Sequence, residues 1–220
     1  DMEDSNINNF SDNMSLRVQQ KKKVPNMPAV VESKHGFIKP RDDMSDEDKF
    51  SKSIKDIGCG LFHTVALTNA GELWVWGSNE YSQHGIETSI ILKEYEELNK
   101  KKKKVSSLPP ECFPHKVRQF DIKQNKKITH VATGSHHIIA VENNRKPYGW
   151  GRNIEGQLGI GKSCRDVNKP TPITELIGQT CKQIACSEAH TLFLNDFGEV
   201  FAFGSPQYGR LGLGLSTALQ

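Results

Sequence analysis

From Ile54 onward, apolar and polar positions alternate with a period of two, broken at short intervals by glycine-bearing turns. Residues 64–68 form a β-rich run, Asn69-Ala70-Gly71 a turn, and residues 72–76 resume the run; the same order returns at 192–194, 195–198 and 199–203. This predicts sets of short antiparallel strands joined by tight turns. The run at 73–76 is apolar on both faces, with Leu73 and Val75 on one and Trp74 and Trp76 on the other. Such a strand belongs in the middle of a stack of sheets. Residues 1–50 show no comparable period, are rich in Asp, Asn, Ser and Lys, and contain Pro25, Pro28 and Pro40. That composition buries too little surface to offset ordering entropy, so the segment reads as a disordered or extended polar tail, with residues 29–31 as its docking point.

The alternating region, 51–220, repeats itself. Residues 57–85 are matched by 131–159 and again by 184–212. In register, His63, His137 and His190 coincide, as do Gly77, Gly151 and Gly204, and the aromatic positions Trp76, Trp150 and Phe203. Units near 54–85, 128–160 and 181–214, built from strands at a spacing of about 50 residues, are the signature of propeller blades. The first copy reads I-x-C-G-x-x-H-T-x-A-L-T-x-x-G-E-L-W-x-W-G-x-N-x-x-x-Q-x-G. It resembles the repeat of the regulator of chromosome condensation family, seven-bladed β-propellers named for the nucleotide exchange factor of the GTPase Ran. The resemblance covers roughly residues 54–215 and implies an all-β fold, with about three of seven blades in this chain. It implies no single function, because the family takes in exchange factors, propeller arms of HECT ubiquitin ligases, a ciliary GTPase regulator, mitochondrial members and a plant UV-B photoreceptor. The Gly-Trp-Arg-His-Thr motif of the photoreceptors is replaced by Gly60-Leu61-Phe62-His63-Thr64, which argues against light sensing. Seven blades require about 350 residues, and an open set would expose a strand edge and an apolar face. The expectation is therefore a chain that is part of a longer one or of a complex.

Charge changes the picture locally. The 220 residues carry a net charge of +3, and their mean hydropathy is −0.57. No apolar run approaches the roughly 18–20 residues of a membrane helix, so no membrane span is expected. Residues 86–127 hold 11 basic and 6 acidic groups, whereas residues 1–50 hold 8 and 10. This basic stretch is an insertion: the first two copies lie 74 residues apart and the next two 53. Within it Ile91, Tyr95 and Leu98 are spaced as one face of a helix, running into Lys100, Lys101, Lys102, Lys103 and Lys104 before Pro109-Pro110. These eight residues are the candidate partner contact. The lysine tract suits a nuclear import signal, a chromatin or other acidic surface, or simply a solvated loop.

The remaining motifs read as structure. Residues 156–163 match the letters of a phosphate-binding G-x-x-x-x-G-K-S loop, but Pro170 and Pro172 leave no room for the helix that such a loop needs. The three repeated histidines sit one per blade, where bonds to backbone within each blade would explain them better than a shared metal. His136 is expected to face solvent, and Cys59, Thr133 and Cys186 occupy one small-residue core site. Five cysteines without CxxC spacing, and no secretory pattern at residues 1–13, suggest an intracellular, nuclear or cytoplasmic protein, with mitochondrial and ciliary placements left open. No catalytic constellation, cofactor or metal site is read. The expected function is a non-catalytic propeller that binds a protein partner, by resemblance a regulator of a Ran-like small GTPase of the guanine-nucleotide exchange type. The alternatives are a structural scaffold subunit of a large assembly and the partner-binding propeller of a ubiquitin ligase.

Overall fold

A computed structural model describes residues 45–87, 89–93, 96–97, 114–161 and 166–214. Tyr95, Leu98 and the five lysines, the polar segment before residue 45, and residues 162–165 of the glycine-rich loop lie outside the described residues.

Three antiparallel sheets follow one another along the chain. The first is β1 (Ile54–Cys59), β2 (His63–Thr68), β3 (Leu73–Gly77) and the short β4 (His115–Lys116). The second is β5 (Ile128–Thr133), β6 (His137–Glu142), β7 (Lys146–Gly151) and β8 (Val167–Pro172). The third is β9 (Cys181–Cys186), β10 (His190–Asn195) and β11 (Val200–Gly204). Strands adjacent in sequence are adjacent in each sheet, and the first strands of the sheets pack side by side, β1 against β5 and β5 against β9. This is the arrangement of propeller blades around an axis lined by β1, β5 and β9. The alternation of antiparallel strands puts the first turn of each blade (60–62, 134–136, 187–189) on the same face as the connection leaving its third strand.

A helix, α1 (Asp46–Lys52), crosses residue 50. Ser45 caps it by accepting from the Asp48 amide, and Asp46, Glu47 and Asp48 occupy its positive end. Seven residues are too few to print a helical period, which is why composition alone merged this turn with the tail. Its end is tied to the β2–β3 turn, where the amides of Ala70 and Asn69 donate to the carbonyls of Ser51 (2.9 Å) and Ser53 (3.0 Å).

The core lies between blades. Val65, Leu67, Leu73 and Val75 of the first blade meet Val131, Ile138, Ala140 and Trp150 of the second, with Val117 and Phe120 closing the cluster. Ile139, Val141 and Leu158 of the second blade meet Phe193 of the third, flanked by Phe201 and Phe203. In the second and third blades the aromatic at the end of the third strand lies on a glycine of the preceding blade: a Cβ on Gly85 would stand 2.8 Å from Trp150 Nε1, and one on Gly159 would stand 2.9 Å from the Phe203 ring. Trp150 is fully buried and its Nε1 donates to the Gln83 carbonyl at 2.8 Å. Trp150→Ala removes both the filling and the bond, and is expected to cost about 3–5 kcal/mol in urea unfolding. Val200→Ala, at a side chain 62% exposed, is expected to change stability by under about 0.5 kcal/mol. Equal effects would overturn the inter-blade reading of the core.

Candidate functional site

The repeated histidines are joints of the scaffold, and they depart from the bonding that the sequence suggested. His137 does not bond backbone in its own blade; its Nε2 meets Thr191 Oγ1 of the next blade at 3.0 Å. The Thr191 hydroxyl donates to the Gln157 carbonyl at 2.9 Å, so His137 must be the donor and carries its proton on Nε2. The position equivalent to Thr191 in the second blade is Ile138, which has no hydroxyl, and both His63 nitrogens are buried without a hydrogen-bond partner among the described residues. The rings of His63 and His137 lie so close over Gly60 and Gly134 that a Cβ on either glycine would collide with them. The third blade has Ser187 at that place, and there the Ser187 hydroxyl bonds His190 Nδ1 instead.

Gly77, Gly151 and Gly204 stand opposite the three histidines in the strand ladders. Each has a positive φ, 98°, 96° and 112°. The residue after each glycine donates its amide to the carbonyl just before the histidine: Ser78 to Phe62, Arg152 to His136 and Ser205 to Ala189. A Cβ on any of the three would press on that same carbonyl. The glycine therefore fixes where the first turn and the outgoing connection meet.

Burial pushes His137 down to about 3, and the neighbouring His63, His190 and His136 act in the same direction. His63 is pushed down to about 4 by burial, then by His136 and His84. Burial, then the Arg210 charge, lowers His190. Neutral buried histidines leave the folded state short of protons that the unfolded chain takes up below its ordinary value near 6.5. Stability is therefore intact above that pH and falls as the pH drops toward 4 and 3, by about 1.4 kcal/mol per unit for each histidine. His63→Leu, which removes a buried ring with no partner, is expected to flatten this acid slope in denaturant titrations without loss at pH 7. Thr191→Val is expected to cost about 1–3 kcal/mol at all pH values. An unchanged acid slope in His63→Leu would sink the assignment.

The three first turns are linked around the axis, Leu61 N donating to Ser135 O (3.0 Å) and Ser135 N to Ser187 O (3.3 Å). They border an open groove lined by Cys59, Gly60, Thr133, Gly134, Cys186 and Ser187 among others. The cysteine position is thus a groove position, with Cys59 exposed and Cys186 half-buried, and not the core site expected. Burial raises the Cys186 and Cys181 thiols to about 12, the opposite of an activated nucleophile. No group of three or more metal-ligating side chains occurs among the described residues.

The same face carries a cluster that sequence reasoning passed over. His136, expected at solvent, is half-buried; its ring lies 4.6 Å from that of Tyr81 and 6.3 Å from that of Phe62. The Arg152 guanidinium sits 5.1 Å over the Tyr81 ring. In the third blade Arg210 sits 5.6 Å over Tyr208. Tyr81 and Tyr208 occupy the same position of the repeat, four residues before Gly85 and Gly212, and that coincidence was the available signal. Leu61 (58% exposed), Phe62 (62%) and Tyr208 (96%) are open to solvent. In the insertion, residues 89–93 and 96–97 are helical. Ile91 is buried there, at 3% exposure, and Ile90 and Leu92 stand at the surface in its place.

Comparison with known proteins agrees with this geometry. The regulator of chromosome condensation (RCC1) repeat matches residues 70–141 and 148–194, and a second profile of that repeat matches 54–83 and 181–210. The chain is 31% identical over 204 residues to the human probable E3 ubiquitin-protein ligase HERC4, covering 74% of this chain and 18% of that one. It is 30% identical over 164 residues to the ultraviolet-B receptor UVR8 of Arabidopsis thaliana, covering 73% and 31%. The crystal structure of Prp20p from Saccharomyces cerevisiae, described with its binding to Gsp1p and histones, superposes with a TM-score of 0.57 at 24% identity, over 74% of this chain and 35% of that one. The chain thus spans less than a third of the length of these curated relatives.

Proposed function

Because this chain belongs to the regulator of chromosome condensation (RCC1) repeat family, we propose that it is a protein-binding propeller without chemistry of its own, acting as an exchange-type regulator of a Ran-like small GTPase. The observation that carries the protein-binding part is the turn-bearing face: a sheet-built scaffold presents Leu61 and Phe62 to solvent on a first turn linked to its neighbours, and Tyr208 on the connection that leaves the third blade. The GTPase part is supported by the fold shared with Prp20p, whose described partners are Gsp1p and histones. The connection that follows Gly77 leaves from the same face, and the basic insertion belongs to that connection in sequence. An intracellular setting, nuclear or cytoplasmic, belongs to the same proposal.

Accelerated release of a fluorescent guanine nucleotide from a Ran-type GTPase by the full-length protein is the expected result, with loss of that acceleration on deleting residues 87–108. Release at the intrinsic rate in the presence of full-length protein would overturn the exchange reading. The identity with HERC4 favours a second reading, the partner-binding arm of a ubiquitin ligase; a HECT domain encoded in the same gene would decide for it. If deletion of residues 87–108 removes the protein from a large complex and leaves exchange unchanged, the scaffold reading replaces both.

A further inference from the structure

Two guanidinium–ring pairs occur among the described residues, Arg152 on Tyr81 and Arg210 on Tyr208, and both belong to the turn-bearing face. Each arginine comes from a different position of the repeat, Arg152 directly after Gly151 and Arg210 two residues before Gly212, yet each ends over the equivalent tyrosine. Neither guanidinium has an ion-pair partner among the described residues. A ring beneath a guanidinium restricts its rotamers while leaving N–H donors for a carboxylate. Arg210 gives its Nε–H to the Gln207 carbonyl at 2.8 Å, which fixes it further and leaves its two terminal nitrogens to donate. Beside the arginines lie Leu61, Phe62 and the almost fully exposed Tyr208, whose backbone holds a left-handed φ of 60°. Tyrosine, phenylalanine and arginine around exposed apolar surface are the composition of binding hot spots.

We propose that this face docks an acidic, apolar segment of a partner protein, its carboxylates on Arg152 and Arg210 and its apolar side chains on Leu61, Phe62 and Tyr208. The exposed Glu80, Glu155 and Glu188, on the turns and connections of that face, repel a partner's carboxylates and so favour their placement on the two arginines. Exposed apolar side chains on the same face as the cationic sites favour a peptide over a nucleic acid backbone, which would gain little from Leu61 or Phe62. The proposal rests on the reading of the chain as a protein-binding propeller and adds the chemistry of what it binds.

The test is fluorescence anisotropy of the full-length protein with three labelled probes: a short peptide of alternating glutamate and leucine, its lysine–leucine counterpart, and a single-stranded oligonucleotide. The glutamate–leucine peptide is expected to bind, more weakly at high salt. Arg152→Glu and Arg210→Glu are each expected to weaken it about tenfold or more. Arg152→Lys, which keeps the charge and loses the planar fork, is expected to fall between, and Arg145→Glu on the opposite face is expected to leave binding unchanged. Equal binding of the lysine–leucine peptide or the oligonucleotide would overturn the proposal, as would unaltered binding by both arginine-to-glutamate variants. Self-association that accounts for the signal would assign the face to a second copy instead. Nucleotide exchange measured on the same variants separates the two ideas: exchange without peptide binding sinks only this proposal, and binding without exchange sinks only the GTPase reading.

Discussion

Every other feature of the structure depends on the seal between one blade and the next. A sheet of three or four short strands buries little by itself, and here Leu73 and Val75 on β3 and Ile139 and Val141 on β6 pack into clusters that include the neighbouring sheet. Apolar packing supplies the driving force but little direction. Direction comes from hydrogen bonds that cross the seam, Trp150 Nε1 to the Gln83 carbonyl and the chain from His137 through Thr191 to the Gln157 carbonyl. Both end on a carbonyl of the same turn position, Gln83 in one blade and Gln157 in the next, so one small loop fixes the angle between successive sheets. These bonds are buried, where leaving an acceptor unmade is costly, and they therefore select one blade-to-blade arrangement among those that packing alone would accept.

The third blade shows what happens when that turn changes. In the first two blades Asn79 and Asn153 accept from the amides of His84 and Leu158, and the side chains of Gln83 and Gln157 accept from the amides of Tyr81 and Glu155. The third has Pro206 and Arg210 at those positions, which offer no such acceptor. Its backbone takes another path, with a 3₁₀ turn at Gln207–Gly209 and Tyr208 in the left-handed region. A tyrosine there costs free energy that a glycine would not. What the departure leaves at the surface is a tyrosine carrying a guanidinium, whereas in the first blade Tyr81 is partly covered by His136 and Arg152.

The sheets were legible because a repeat is read three times. His, Gly and aromatic positions in register located β2, β3 and their equivalents to within a residue or two, and the double-sided apolar pattern of β3 announced the stacking. The site was less legible, for two reasons. A sequence shows that a histidine recurs but not what lies across the seam, so the Thr191 partner of His137 and the missing partner of His63 depend on the residue in the next blade, 54 positions away in the bonded case. The aromatic–arginine pairs are assembled from separate turns as well: Arg152 reaches Tyr81 from another blade, at a spacing no linear motif records. The short α1 and the groove position of Cys59 escaped because each depends on where the backbone turns, not on a run of like residues.

Scaffold and surface are separable in composition but not in geometry. The positive φ of Gly77, Gly151 and Gly204 delivers the following amide to the carbonyl before each histidine, and that carbonyl belongs to Phe62, His136 and Ala189. Two of these three residues form the aromatic cluster on the exposed face, and the residue after Gly151 is Arg152 itself. The backbone bond that closes the strand pair at the top of the blade therefore also holds the Arg152 main chain against the His136 turn, 2.9 Å from amide to carbonyl. A substitution at Gly151 would strain the left-handed backbone and displace both partners of Tyr81 at once. The side chains that differ from blade to blade are in this way aimed by the glycine that does not, which is how a repeated scaffold can carry a face that is not repeated.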